Sequence, residues 1–221
     1  MKKLLLSVIT LATAASVFAQ GTVILNNSVP GVGTTHVWSG PVYLTGNSFN
    51  DIPPGTTPYA ASGCLLIGAV GGLSANATFA TLIGAPGSNA PESLMLPSSS
   101  PPTTFRTGSA AGIVVARTDT FANILPDAAV ATFEMVAWDN SSGLYPTWTV
   151  ASVAAANGLI YGGHSAPFVL QSIGGVVNIS PIIVSSIPGQ GLQSFSITIP
   201  EPATVGLAGL GAALLSFRRR K

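Results

Sequence analysis

Short stretches of apolar residues alternating with polar ones fill the middle of the chain, separated by clusters of Gly, Pro, Ser and Asn. Runs of this length that are rich in β-branched and aromatic residues and are bounded by turn residues are typical of β-strands. The pattern predicts strands at residues 22–26, 37–45, 64–70, 77–83, 112–116, 129–138, 166–171, 176–179 and 193–199.

The clearest alternation lies at residues 131–138, where side chains point to opposite faces in turn. Phe133, Met135 and Ala137 share one face, which is predicted to line the core. Glu134 lies on the other face and is predicted to point outward.

Helical patterning is scarce. Residues 149–156 favour a short helix ended by Asn157 and Gly158, and Pro- and Ser-rich loops are predicted at 51–58 and 85–102. Many strands without long helices between them indicate an all-β domain at residues 20–199. We expect a β-sandwich that is immunoglobulin-like in general architecture.

The N-terminus has the three parts of a secretory signal peptide. Two lysines follow the initiator methionine, an apolar run covers residues 4–17, and small residues stand at Val17 and Ala19. The apolar run is shorter than the roughly 20 residues that span a bilayer. Residues 1–19 are therefore predicted to form a signal helix that is cleaved between Ala19 and Gln20.

The C-terminus is equally distinct. It consists of a Pro-Glu-Pro triplet, an apolar run and a basic end, at Pro200, Glu201, Pro202, residues 203–217, Arg218, Arg219, Arg220 and Lys221. The apolar run is also below the roughly 20 residues of an ordinary transmembrane helix. By the positive-inside rule the basic end stays in the cytoplasm. We expect a hydrophobic helix that holds the preceding domain, residues 20–199, transiently at the outer side of the inner membrane. This domain is called the cargo below.

In this order at the end of a signal-bearing chain, the three pieces resemble the PEP-CTERM sorting signal. The resemblance implies an exported protein of a Gram-negative-type bacterium that makes extracellular polysaccharide. It also implies that an exosortase, a membrane cysteine transpeptidase, recognises the chain and cuts it near the triplet. The resemblance covers residues 200–221 and says nothing about the activity of the cargo.

The cargo itself resembles a group of such exported proteins from Verrucomicrobia-like bacteria. The resemblance implies a shared fold and contributes no function. The matching pieces are Phe105-Arg106-Thr107-Gly108, Ala137-Trp138-Asp139, Gly163-His164-Ser165-Ala166-Pro167-Phe168 and Gly191-Leu192-Gln193-Ser194-Phe195-Ser196.

Charge is nearly absent from the cargo. Residues 20–199 contain two cations, Arg106 and Arg117, and six acids, which gives a formal charge of −4. Because nucleic-acid binding needs a basic surface, this class of function is excluded. A surface of hydroxyls and amides suits a cell surface or a matrix. The single cysteine, Cys64, cannot form an internal disulfide, and it is predicted to be a buried, inert thiol.

No catalytic or metal-binding motif stands out in the sequence. His36 and His164 are far apart and lack a Cys/His cluster or an HExxH motif, so no metal and no cofactor are predicted. His164 is predicted to lie in a loop, where its ring caps backbone groups. Glu92 falls in a Pro-rich loop. A pair of facing carboxylates stays open, although no motif calls for one.

The aromatic residues suggest one candidate ligand surface. Trp138, Tyr145 and Trp148 are a candidate carbohydrate contact, although aromatic residues in a sandwich more often pack inside it. The favoured function is a non-catalytic structural or adhesive protein of the cell surface or extracellular matrix. The alternative is a carbohydrate-binding module associated with exopolysaccharide. The predicted partners are an exosortase, the inner membrane and, as a candidate, extracellular polysaccharide.

Overall fold

The computed structural model describes residues 20–46, 58–185 and 190–200. Of the described residues, 36% lie in β-structure and 11% in helices, so the protein is all-β. The predicted signal helix and the predicted C-terminal hydrophobic helix lie outside the described residues. Within those residues, no helix has both the length and the apolar character needed to cross a membrane.

The strands are short, apart from two that form the centre of the fold. They are β1 (Gly21–Leu25), β2 (Ser28–Val29), β3 (Gly33–Thr34), β4 (Val37–Ser39), β5 (Leu65–Leu66), β6 (Thr78–Pro86), β7 (Leu96–Pro97), β8 (Arg117–Phe121), β9 (Val130–Asp139), β10 (Gly162–His164), β11 (Phe168–Gln171) and β12 (Phe195–Ile197). The α-helices are α1 (Pro58–Ala61) and α2 (Trp148–Ala156), and 3₁₀ helices occur at Glu92–Leu94 and Gly108–Ala110.

The main sheet has five strands built around the antiparallel pair β6 and β9. β7 extends the sheet beyond β6, whereas β10 and β11 both pair with β9 at different points along its length. Smaller sheets are formed by β1 with β8, by β2 with β3, and by β12, β4 and β5 in that order. β9 is therefore the central strand, with neighbours on both edges.

One face of the main sheet lines the main core. Phe133, Met135 and Ala137 are fully buried there, which confirms the predicted inner face. Side chains from the smaller sheets complete this core, including Val23 of β1 and Phe195 of β12. The core thus lies between the main sheet and the strands of the β1–β8 and β12–β4–β5 sheets.

The opposite face of β9 is buried too, although it was predicted to point outward. Val136 and Trp138 lie in a second apolar cluster with Ala151 and Ala154 of α2. Glu134 lies on the same face and is only 3% exposed. The outward prediction for Glu134 is wrong, because a helix and a loop cover the second face of the strand.

The stronger sequence patterns correspond to observed elements. The predictions at residues 22–26, 77–83, 129–138, 166–171 and 193–199 match β1, β6, β9, β11 and β12. The predicted helix is α2, which ends at Asn157 as expected. Local periodicity was sufficient for these elements because each is covered on at least one face by the core.

Two predicted strands are much shorter than expected. Only Val37–Ser39 and Leu65–Leu66 are strands within the predicted ranges 37–45 and 64–70. The first range contains Pro41, which has no N–H to donate to a ladder. In the second range, 64–70, the chain reverses direction at Gly68. The φ of Gly68 is +85°, which is in the left-handed region that glycine adopts at little cost.

Two other strand predictions are wrong. Residues 112–116 contain one isolated bridge, at Val114, and β8 begins just after them, at Arg117. Residues 176–179 form an exposed turn, because the carboxylate of Asp127 accepts hydrogen bonds from the backbone N–H groups of Val176, Val177 and Asn178 at 2.7–3.2 Å. Backbone N–H groups that donate to a side chain in this way are not available for hydrogen bonds to a neighbouring strand.

The predicted long loop at 85–102 is more ordered than its composition indicated. It contains the Glu92–Leu94 3₁₀ helix and β7, and it packs against the second face of β9 through Met95 and Ala90. Thr132 of β9 fixes it further, since its hydroxyl accepts from Ala90 N at 3.1 Å and donates to Gly87 O at 2.8 Å. The predicted loop at 51–58 lies outside the described residues except for Pro58.

Candidate functional site

Most of the predicted targeting residues lie at or beyond the ends of the described structure. Gln20 is the first described residue, and Ala19 precedes it. Pro200 is exposed and is the last described residue. The rest of the predicted sorting motif and basic tail lies outside the described residues, at Glu201, Pro202, Arg218, Arg219, Arg220 and Lys221.

The candidate carbohydrate residues do come together, but one of them is inside the protein. Trp138 is fully buried, and its indole N–H donates to the carbonyl of Tyr145 at 2.7 Å. Trp148, at the start of α2, packs against it with ring centroids 5.7 Å apart. Tyr145 and Trp148 are half-buried. Tyr145 and Trp148 therefore keep part of their surface exposed, whereas Trp138 presents no face to solvent.

A second cluster contains Glu134 and His164, two ionisable residues that were not predicted to lie close together. β10 pairs with β9 so that His164 lies opposite Val136, on the same face as Glu134. His164 Nδ1 is 2.9 Å from Glu134 Oε2. The prediction that His164 is a loop residue capping backbone groups is thus corrected: it is a strand residue whose ring contacts a buried carboxylate.

The hydrogen bonding around this pair is incomplete. His164 Nδ1 also lies 3.1 Å from the carbonyl oxygen of Ser165. Although the Glu134–His164 contact is short, Glu134 Oε2 is buried and receives no hydrogen bond of good geometry. Glu134 nevertheless raises the pKa of His164, whereas the burial of the ring opposes this shift.

Tyr43 covers one side of the cluster. Its hydroxyl donates to the His164 carbonyl at 2.7 Å, and the two rings are tilted with centroids 5.7 Å apart. Burial raises the pKa of Tyr43 to about 12, and the negative charges of Glu134 and then Glu92 add to the shift. The carboxylates of Glu134 and Glu92 therefore both lie near enough to Tyr43 to disfavour its ionised form.

Glu92 completes the cluster from the loop that packs on β9. Glu92, Glu134 and His164 each bring one atom of metal-ligand type within 4.8 Å of the others. Glu134 is buried, His164 is partly exposed and Glu92 is exposed. The cluster thus combines one buried carboxylate with a carboxylate and an imidazole that are more exposed, and these are ligand types found in metal sites.

Sequence reasoning missed this cluster for a physical reason. Glu92 was assigned to a Pro-rich loop, Glu134 to an outer face and His164 to another loop, so no two were expected to meet. Only the pairing register of β9 with β10, and the folding of the 85–102 loop over β9, bring them together. The rarity of charged residues was the one available signal, because a Glu inside an apolar strand needs a partner when it is buried.

The prediction that Cys64 is buried is confirmed. Cys64 is a free thiol that is 2% exposed and packs with Trp38 and Tyr59. Burial raises the pKa of the Cys64 thiol, which disfavours the nucleophilic thiolate form.

A shallow groove runs along the outer edge of β11. It has a volume of about 600 Å³ and is lined mainly by Phe168–Gln171 and by Ile182, Val184 and Ser185. The lining residues are a mixture of apolar and uncharged polar residues, and none of them has an ionisable side chain.

The chain is thus an all-β protein that continues, after its last strand, into a C-terminal sorting signal. That signal is the PEP-CTERM protein-sorting motif, whose family model matches residues 198–221. The motif indicates an exported protein that is processed by an exosortase and sent to the cell envelope or surface. Neither a curated protein nor a solved structure matches the chain. The resemblance of the cargo to a Verrucomicrobia-like group stays a prediction.

Proposed function

We propose that this protein is a non-catalytic structural or adhesive component of the cell surface or extracellular matrix. The observation that carries the proposal is the PEP-CTERM motif at residues 198–221, at the end of a cargo with almost no charge. In this proposal the C-terminal helix holds the cargo transiently at the inner membrane. An exosortase then cuts near Glu201 and releases the cargo toward the surface.

The scaffold in this proposal is a β-sandwich. The main core supports this architecture, because one face of the five-stranded sheet packs against residues of the β1–β8 and β12–β4–β5 sheets. Several short strands around one such core are the usual construction of surface-exposed domains of this class.

The contacts made by three of the acidic side chains support a non-catalytic role. Asp119 contacts Arg117 at 2.6 Å. Asp127 accepts three backbone N–H groups, and Asp139 accepts from the backbone and side chain of Ser141 at 2.8 and 3.1 Å. These three carboxylates have structural partners and are not poised for chemistry.

Deleting residues 200–221 should release the cargo into the periplasm. The full-length chain should instead pass through the membrane fraction and reach the cell surface, because the tail holds and addresses it. The measurement is cell fractionation with immunoblotting of the two forms. Val176→Ala is a control, since this exposed position should leave sorting unchanged. If the deleted form stays in the membrane fraction at an unchanged level, the sorting role is wrong.

A carbohydrate-binding module is the second candidate. It is favoured by the partly exposed Tyr145 and Trp148, both of which contact the buried Trp138. Trp148→Ala should then lower binding to the polysaccharide of the producing cells by roughly 2- to 10-fold, as expected for one aromatic contact. Co-sedimentation with that polysaccharide measures the effect. Val153→Ala on the exposed side of α2 is the matched control, and equal binding by all three proteins contradicts this candidate.

A further inference from the structure

Three side chains of metal-ligand type converge from three separate segments of the chain. Glu92 lies on the Glu92–Leu94 3₁₀ helix, Glu134 on β9 and His164 on β10. Their closest ligand-type atoms all lie within 4.8 Å of one another. The loop that carries Glu92 is fixed to β9 by the hydrogen bonds of Thr132, so the approach of Glu92 to Glu134 is built into the fold.

The buried carboxylate of Glu134 is the independent observation that points to a ligand. Its side chain is 4% exposed, and its Oε2 atom receives no hydrogen bond of good geometry from the described residues. A buried carboxylate oxygen is costly when its contacts are poorly aligned, because it has lost its water and the contact with His164 Nδ1 replaces that water only in part. Oε2 is turned toward His164, at 2.9 Å from Nδ1, and so faces the interior of the cluster.

The electrostatic balance of the cluster also favours a cation. Glu92 and Glu134 bring two carboxylates together, and the imidazole of His164 contacts Glu134 at 2.9 Å. Arg117 contacts Asp119 instead, and Arg106 is exposed. A divalent ion would neutralise both carboxylates in a partly buried place, where charge interactions are weakly screened.

We propose that Glu92, Glu134 and His164 form a binding site for a divalent transition-metal ion, with Zn²⁺ as the representative ion. Imidazole nitrogen combined with carboxylate oxygen suits Zn²⁺ and its neighbours better than Mg²⁺ or Ca²⁺, which prefer oxygen alone. Ligand atoms around a tetrahedral Zn²⁺ at about 2.0–2.2 Å lie roughly 3.3 Å apart. The exposed Glu92 side chain has the freedom to close the remaining distance.

The bound ion cross-links the 85–102 loop to the main sheet. It joins the segment of Glu92 to two neighbouring strands of the main sheet. With three protein ligands, one further coordination position is left to water. This site goes beyond the proposed surface role and does not depend on it, because the ligands belong to the folded domain and not to the sorting motif.

Zn²⁺ titration of the purified full-length protein by calorimetry tests the site, together with metal content after dialysis against Zn²⁺. We expect one equivalent of Zn²⁺ per chain and a rise in the thermal midpoint when the ion is present. Glu134→Gln and His164→Gln should each weaken binding at least 10-fold, and Glu92→Gln should weaken it less because this side chain is exposed. Asp139→Asn removes a carboxylate from the end of the same strand and should bind as the unchanged protein does.

The outcomes are separable. Absence of saturable Zn²⁺ binding by the unchanged protein overturns the proposal, and so does an equal loss of binding in Asp139→Asn. If Glu134→Gln does not fold, His164→Gln decides alone, since the His164 side chain is partly exposed and its replacement disturbs the fold less. Co²⁺ substitution gives a further readout, because a bound imidazole and carboxylate produce visible absorption bands that His164→Gln must abolish.

Discussion

Replacing Phe133 with alanine is expected to lower the free energy of unfolding by about 3–5 kcal/mol, the usual cost of deleting a buried phenylalanine ring. Phe133 is fully buried on the inner face of β9, with its ring 5.1 Å from that of Phe121 and 6.2 Å from that of Phe168. The surrounding strands limit how far the cavity can collapse. Denaturant unfolding followed by tryptophan fluorescence measures the loss.

Gly84 gives this prediction an internal check. It lies opposite Phe133 in the β6–β9 ladder, and a Cβ placed on it would come 2.6 Å from Phe133 Cδ1. Gly84→Ala should therefore destabilise the unchanged protein but should do so much less in the Phe133→Ala background, where the ring is gone. Strict additivity of the two substitutions would show that the Phe133 ring does not occupy the space above Gly84.

Val176→Ala is the control for general loss of apolar surface. Val176 is 84% exposed, and its truncation should change the free energy of unfolding by less than about 0.5 kcal/mol. A loss at Phe133 that is no larger than the loss at Val176 would contradict the placement of Phe133 in the core.

Replacing Arg117 with methionine is expected to cost about 3–5 kcal/mol at neutral pH, because it leaves the Asp119 carboxylate buried without its counter-ion. Asp119 is fully buried, and its Oδ2 accepts a hydrogen bond from Leu82 N at 3.2 Å. Arg117 lies 2.6 Å from Asp119 Oδ1 and donates to Thr81 Oγ1 at 3.2 Å. The pair thus ties β8 to β6.

The pH dependence of stability follows from the same group. Burial raises the pKa of Asp119 from 3.8 to about 6, although Arg117 opposes the shift. The folded state therefore binds a proton more tightly than the unfolded state between these two values. In this window the contribution of Asp119 to stability falls as pH rises, by up to about 1.4 kcal/mol per pH unit.

Asp119→Asn separates this effect from other titrating groups, including His164. The variant should lose the part of the pH dependence that lies between about pH 4 and 6. Arg117→Met should be destabilised most above pH 6 and should recover in acid, when Asp119 becomes neutral. Combining the two substitutions should cost less than Arg117→Met alone, because no buried charge is left. A cost for Arg117→Met that does not change with pH would show that packing, and not charge, makes Arg117 important.

Local patterns in the sequence were enough for the all-β class and for the central strand. Alternation with a period of two placed Phe133, Met135 and Ala137 together, and the core confirms this grouping. The same alternation could not tell whether the second face met water, since this depends on α2 and on the 85–102 loop. Glu134 was misplaced for this reason.

The sequence by itself determined where the protein goes. A sorting motif is read as a linear segment, so Pro200, Glu201, Pro202 and the residues after them needed no tertiary structure to be recognised. Turns were harder to predict from the sequence. Residues 176–179 have the composition of a strand, yet the carboxylate of Asp127, which is distant in the chain, accepts hydrogen bonds from their backbone and holds them in a turn.

Only the tertiary structure decided which polar groups meet. Glu92, Glu134 and His164 come from a loop and two strands, and the strand register sets their distances. Arg117 and Asp119 are two residues apart on β8, yet their importance comes from the burial that β6 imposes on them. Burial and strand register are properties of the packed chain, because they depend on contacts between residues that are distant in sequence.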